Sequence, residues 1–246
     1  MFDSLHLVHY LPIGTTILSA IFCGLLLRRY YERRSGPHLL WWAFGIFTYG
    51  LGTFLESAVT LHGNTPFLNK AWYVAGAILG GYPLAQGSVY LHYSRRTAHI
   101  LSALTVPFLI IISAFVFASP TKMDALLSYR PGGAAIEWQW VRYFTPFINL
   151  YAVWFLIGSA LMSALHFYKK TGPGGRAIGN ALIAFGAILP GIGGGMAKAG
   201  MVEALYIGEF VGLIFIWAGY WFCVNAPLPS RQIDLAAQEA LTPRAA

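Results

Sequence analysis

Residues 100–118 read ILSALTVPFLIIISAFVFA, and the run 108–118 within it carries no charge and a single polar side chain, Ser113. A membrane β-strand would alternate apolar and polar side chains over about ten residues, and this run does not alternate. Continuous apolar sequence of this length reads as a helix, because a backbone surrounded by lipid must satisfy its own N–H and C=O groups. A hydrocarbon core about 30 Å thick takes roughly 20 helical residues. Seven segments fit: 7–27, 39–61, 71–93, 100–118, 143–167, 177–197 and 204–224. The expectation is an all-α polytopic membrane protein, a seven-transmembrane-helix bundle forming one domain over 1–226, followed by a short cytoplasmic tail over 227–246.

Composition agrees, with 57% hydrophobic and 10% charged residues against about 25% charged in soluble chains. The net charge of +7 sits mostly in short connections, where membrane topology accounts for it without a nucleic-acid partner. Counted by side, eleven Lys and Arg, among them Arg28, Arg29, Arg95, Arg96, Lys169 and Lys170, oppose five: Lys70, Lys122, Arg130, Arg142 and Lys198. The richer side is cytoplasmic by the positive-inside rule, so the N-terminus lies outside and the C-terminus inside a bacterial-type cell (inner) membrane. The opening MFDSLHLVHYLP lacks a basic n-region and a cleavage site, so the first apolar run persists as a helix. Cys23 and Cys223 lie in apolar runs without CxxC spacing and read as packed thiols.

The external connection SPTKMDALLSYRPGGAAIEWQWVRYF over 119–144 is the longest. It suggests a short interfacial helix over 123–129 and a turn at Pro131-Gly132-Gly133. Trp138 and Trp140 either rest on the membrane surface or cover the bundle mouth. The tail after Pro227 has no room for an output domain, so any signal passes to a separate output protein or membrane partner.

Two of the nine acidic residues fall inside spans, Glu56 in the second and Glu209 in the seventh. An ionisable group in hydrocarbon costs about 2.5–3.5 kcal/mol on insertion scales and marks a functional site. Each stands five residues from the outer end of its span, about 7–8 Å deep at 1.5 Å per residue. Asn149 lies at a similar level, with Tyr73, Tyr206 and Lys198 near the rim. Together these six residues form a candidate ligand-binding belt, and two carboxyls brought together would share a proton. The alternative is that each glutamate bonds a neighbouring helix or reaches Lys198 or Lys70.

Gly76 with Gly80 and Gly191 with Gly195 have the spacing that lets helices approach closely. Pro190-Gly191-Ile192-Gly193-Gly194-Gly195 would loosen the sixth helix, as a hinge or a ligand-facing carbonyl site. His92 and His166 are the one histidine pair at comparable helix ends that suits a cofactor such as b-type haem. His6, His9 and His62 are external and offer only loose metal-ligand spacing; no metal site, catalytic residue or defined cofactor is assigned. HExxH, GxSxG and phosphate-cradling motifs are absent from the sequence, which leaves a membrane hydrolase or desaturase unsupported.

A retinal protein needs a lysine in its last helix, and ALYIGEFVGLIFIWAGYWFCV has none. Trp72-Tyr73 with Gly76-Ala77, Gln86-Gly87 with Tyr90-Leu91 before Arg95-Arg96, Asn180-Ala181-Leu182-Ile183-Ala184, and Gly208-Glu209 with Gly212 resemble uncharacterised bacterial seven-helix membrane proteins and the membrane modules of some bacterial sensors. That resemblance covers spans three to seven and implies architecture without assigning chemistry. The resulting expectation is a non-enzymatic module that binds a small hydrophobic or amphipathic ligand, or an accessory subunit of a membrane complex. A proton-coupled transporter and a pigment- or haem-binding redox subunit are the alternatives.

Overall fold

The computed structural model describes residues 7–33 and 36–226, with Lys198 described by its backbone alone. The tail over 227–246 and His6 lie outside the described residues. Among the described residues there are ten α-helices and no strand beyond one isolated bridge, Thr121 to Ile136. They align into seven rods. The first is α1 (Leu11–Arg33) and the second α2 (His38–His62). The third joins α3 (Pro66–Trp72), a π-helical stretch (Tyr73–Ile78) and α4 (Tyr82–His92), all lying along α2. The fourth is α5 (Arg95–Ala118). The fifth runs from α6 (Gln139–Arg142) through α7 (Thr145–Ala152) and a second π-helical stretch (Val153–Gly158) into α8 (Ser159–Thr171). The last two are α9 (Gly175–Lys198) and α10 (Val202–Asn225).

Five helices are long and apolar enough to cross a membrane: Leu7–Arg33, Arg95–Ala118, Gln139–Thr171, Gly175–Ala197 and Val202–Asn225. The most apolar windows of these five are only 17–28% buried inside the protein. The second and third rods differ for a physical reason. α2 buries thirteen of its residues, three of them glycine and five polar or acidic, and α4 buries every residue from Tyr82 to Val89. These rods spend much of their sequence on close packing against other helices, although α2 still exposes Leu40, Phe44, Phe47, Leu51 and Phe54 along one face.

Neighbouring rods join through short turns, except that the segment 119–138 links the fourth to the fifth, and successive rods run antiparallel. Thr65 caps α3 by accepting the Leu68 N–H at 3.2 Å, with Pro66 in the first turn, and Ser94 caps α5 by accepting the Thr97 N–H at 3.2 Å. Both are ordinary N-cap chemistry. One core, with Phe22, Leu26, Ile46, Ala85, Leu156, Leu213 and Ile216, joins six rods at one end of the bundle. A second, with Tyr73, Tyr82, Ile112, Val116, Ile136 and Ile148, joins the third, fourth and fifth rods to the segment 119–138.

That segment is a folded cap, in place of the expected helix over 123–129: only Met123–Ala125 makes a 3₁₀ turn. Asn69 holds it by accepting the Gly132 N–H at 2.8 Å and donating to the Gly132 carbonyl at 3.0 Å. Asn64 donates to the carbonyls of Leu127 at 3.0 Å and Arg130 at 3.2 Å, and Lys70 to that of Ser119 at 2.5 Å. Trp138 and Trp140 stack on each other and against Phe115. We call this the capped end.

Gly76 meets α2 closely, with a Cβ on Gly52 standing 3.5 Å from its Cα, but the expectation for Gly191 and Gly195 needs correction. A Cβ on Gly191 or Gly195 would meet nothing within 4 Å, so that pair faces open space. The seam between α9 and α10 uses Gly179, Gly186 and Gly193 against Gly219, Gly212 and Gly208 instead. A Cβ on Gly186 would stand 2.6 Å from the Gly212 carbonyl oxygen, and one on Gly179 2.6 Å from that of Gly219. α9 also stays helical through Pro190, whose ring lies on the bare backbone of Gly212. The packing of α10 supports the helix where proline alone would break it.

Candidate binding site between two carboxyl groups

Two helices bring the glutamates together from opposite directions. α2 ends and α10 begins at the capped end, so Glu56 near the end of one and Glu209 near the start of the other reach the same level. The two carboxyl groups stand within hydrogen-bonding reach of each other. α2 packs along α1 and α4, and α10 along α9 and α1, so long side chains bridge the space between α2 and α10. Tyr49 spans it as well, donating its hydroxyl to the backbone carbonyl of Glu209 at 2.8 Å.

Glu56 is 1% exposed, and its Oε1 accepts the Trp72 indole N–H at 2.7 Å. Its Oε2 is buried without a hydrogen-bond partner, as is Oε2 of Glu209. Thr60, one turn beyond Glu56 toward the capped end, and Tyr206, one turn beyond Glu209 in the same direction, are 5% and 1% exposed. The hydroxyls of both are also buried and unpartnered. Four enclosed oxygens without partners thus fall in two adjacent layers on α2 and α10. A buried polar atom left unpaired costs about 1–3 kcal/mol, and such atoms in a native fold call for an explanation, an absent ligand among them. The Tyr206 ring stands edge-on to His9 at 6.0 Å, and Arg130 of the cap and Glu203 are charged groups acting on its hydroxyl.

The other expected belt residues divide. Tyr73 is buried but turned away, its hydroxyl 2.7 Å from that of Thr145 on α7; the carboxyl contact belongs to its neighbour Trp72. Lys70 is spent on the cap, and the Lys198 side chain lies outside what the structure describes. Asn149 is more informative. It shares an α7 stripe with Thr145, bonded to Tyr73, and Ala152, against which a Cβ on Gly81 would stand 2.8 Å away. It faces the third rod, yet it is exposed, and so is Gly76 at the matching level of that rod. Trp72, whose indole bonds Glu56, also lies beside Gly76, its Nε1 3.8 Å from where a Cβ would stand.

The fifth rod packs on α9 through α8 and the second π-helical stretch, while α7 parts from α9 toward the capped end. Gly191 and Gly195 of α9 are exposed. Sequence reasoning matched the two glutamates by depth but missed Trp72, Tyr49 and Thr60; Thr60 was legible as the residue one turn from Glu56 on the same face.

His92 offers no axial ligand for haem in this arrangement. Its Nδ1 bonds the Ser88 carbonyl at 2.9 Å and its Nε2 the Ser163 hydroxyl at 3.0 Å, while His166 is exposed beside Phe167. Among the described residues no three His, Cys, Asp or Glu side chains gather as metal ligands. Comparison with protein-family models, with curated proteins and with solved structures finds no match in any of the three.

Proposed function

We propose that the chain is a seven-span protein of a bacterial-type cell membrane, with its N-terminus outside, that binds a small amphipathic molecule at Glu56 and Glu209. The eleven-to-five split of Lys and Arg supports the orientation, which puts the capped end outside. The observation that carries the site is the meeting of two carboxyls, each with one buried oxygen, Oε2, that lacks a partner. The exposure of Asn149 and Gly76 and the separation of α7 from α9 support entry from the outer leaflet, with the apolar tail in lipid and the polar head between the glutamates. Among the described residues no catalytic constellation accompanies the pair, which favours a binding module over an enzyme.

The test uses purified protein in nanodiscs and three radiolabelled dodecyl probes carrying an ammonium, a hydroxyl or a carboxylate head. Saturable binding of at least one probe, lost in Glu56→Gln and Glu209→Gln, is expected. Binding that neither substitution changes, for every probe, would sink the site.

A second reading, proton-coupled transport, draws support from the same carboxyls, since neither can donate to the other without a proton. It predicts uptake of the bound probe into proteoliposomes that follows an imposed pH gradient. Uptake that is flat across pH would exclude it.

A further inference from the structure

Resting on the reading of Glu56 and Glu209 as a ligand site, we propose that the group seated between them is a small monovalent cation, in first place a primary ammonium head. The argument is an inventory of donors and acceptors. Glu56 Oε2, Glu209 Oε2, Thr60 Oγ1 and the Tyr206 hydroxyl are enclosed and unpartnered. Of the donors nearby, the Trp72 N–H goes to Glu56 Oε1 and the Tyr49 hydroxyl to a backbone carbonyl, while the Thr60 and Tyr206 hydroxyls, one O–H each, reach no partner. All four open atoms are oxygens that accept, and two of them belong to acids.

A proton alone does not complete this site. It can bridge the two carboxyls, but Thr60 and Tyr206, a turn closer to the capped end, would stay unsatisfied. An ammonium group brings three N–H donors and a positive charge in one compact head, which suits carboxyl and hydroxyl acceptors in adjacent layers. Charge-assisted hydrogen bonds of this kind are about twice as strong as neutral ones. The aromatic rings of Trp72 and Tyr206 beside the acids add favourable faces for a cation. An anionic head would meet two acids and be repelled, and a neutral hydroxyl supplies a single donor.

Among the described residues, the cations of the capped end are engaged elsewhere. Lys70 Nζ is held at the cap by the carbonyls of Phe117 and Ser119, and Arg142 donates to Gln139 Oε1 at 2.5 Å. Arg130 acts on Tyr206 from the cap side, where Glu203 opposes it. Both lie at the rim.

Nanodisc-embedded protein titrated with dodecylammonium, dodecanol and dodecanoate separates the possibilities. The expected result is saturable binding of dodecylammonium alone, weakened at least about tenfold in Glu209→Gln, and severalfold in Tyr206→Phe, which removes the hydroxyl but keeps the ring. Displacement of dodecylammonium by sodium chloride but not by choline chloride, in the wild type only, would also support a cation site and identify a bare ion as its occupant. Glutamate-dependent binding of dodecanol or dodecanoate in preference to the ammonium would overturn the cation while leaving the site standing. Loss of all saturable binding would overturn both readings. Thermal unfolding of each variant shows whether a loss reflects the site or the fold.

Discussion

Trp72 and Tyr73 are adjacent, and only one of them serves the carboxyls. The indole N–H of Trp72 is the side-chain donor to Glu56, at 2.7 Å, while Tyr73 bonds Thr145. Trp72→Phe keeps most of the packing and removes that donor. A hydrogen bond to a charged group is worth about 1.5–3 kcal/mol, so probe affinity should fall by about tenfold or more, as equilibrium binding would show. Tyr73→Phe should leave affinity within about twofold, because its hydroxyl faces away from the site. At the cap, Asn69→Ala forfeits both bonds to Gly132 and should cost about 1–3 kcal/mol. Limited proteolysis would register this as faster cleavage within 119–138.

The α9–α10 hairpin owes its closeness to glycine, and a pair of substitutions isolates that cause. Gly186→Val would drive a side chain into the Gly212 carbonyl and should destabilise the protein by about 1–3 kcal/mol, lowering the thermal midpoint in detergent. Gly191→Val, on the open side of the same helix, should leave the midpoint nearly unchanged. The elements themselves were legible, since unbroken apolar runs locate helices without knowledge of their neighbours. Depth was legible for the same reason: the rise per residue is constant, and it brought Glu56, Glu209 and Asn149 to related levels. Azimuth was not. The π-helical stretch at Tyr73–Ile78 changes which side chain points where, and a glycine spacing of seven along α9 matters only against a partner helix. The cap was illegible for another reason, because Asn64 and Asn69 act on carbonyls some sixty residues away.

As a whole the molecule divides labour between its ends. The apolar core of Phe22, Leu26, Leu84, Leu156 and Leu213 closes the end away from the cap. Toward the cap a second apolar core ties the third, fourth and fifth rods to the cap, while buried oxygens gather between α2 and α10. If the capped end is external, a cysteine at Ser128 should react with an impermeant maleimide in intact cells, and one at Ser94 only after permeabilisation, in a background lacking Cys23 and Cys223. The reverse pattern would invert the topology.

The central claim is that Glu56 and Glu209 act as one unit, and a double-mutant cycle measures it directly. Glu56→Gln, Glu209→Gln and the double variant would be compared with the wild type by unfolding in mild detergent. Groups in contact show coupling of about 0.5–3 kcal/mol, whereas separated ones add to within about 0.3–0.5 kcal/mol. We predict coupling above about 1 kcal/mol. Strict additivity would mean that the two carboxyls do not share a site, and would contradict the account.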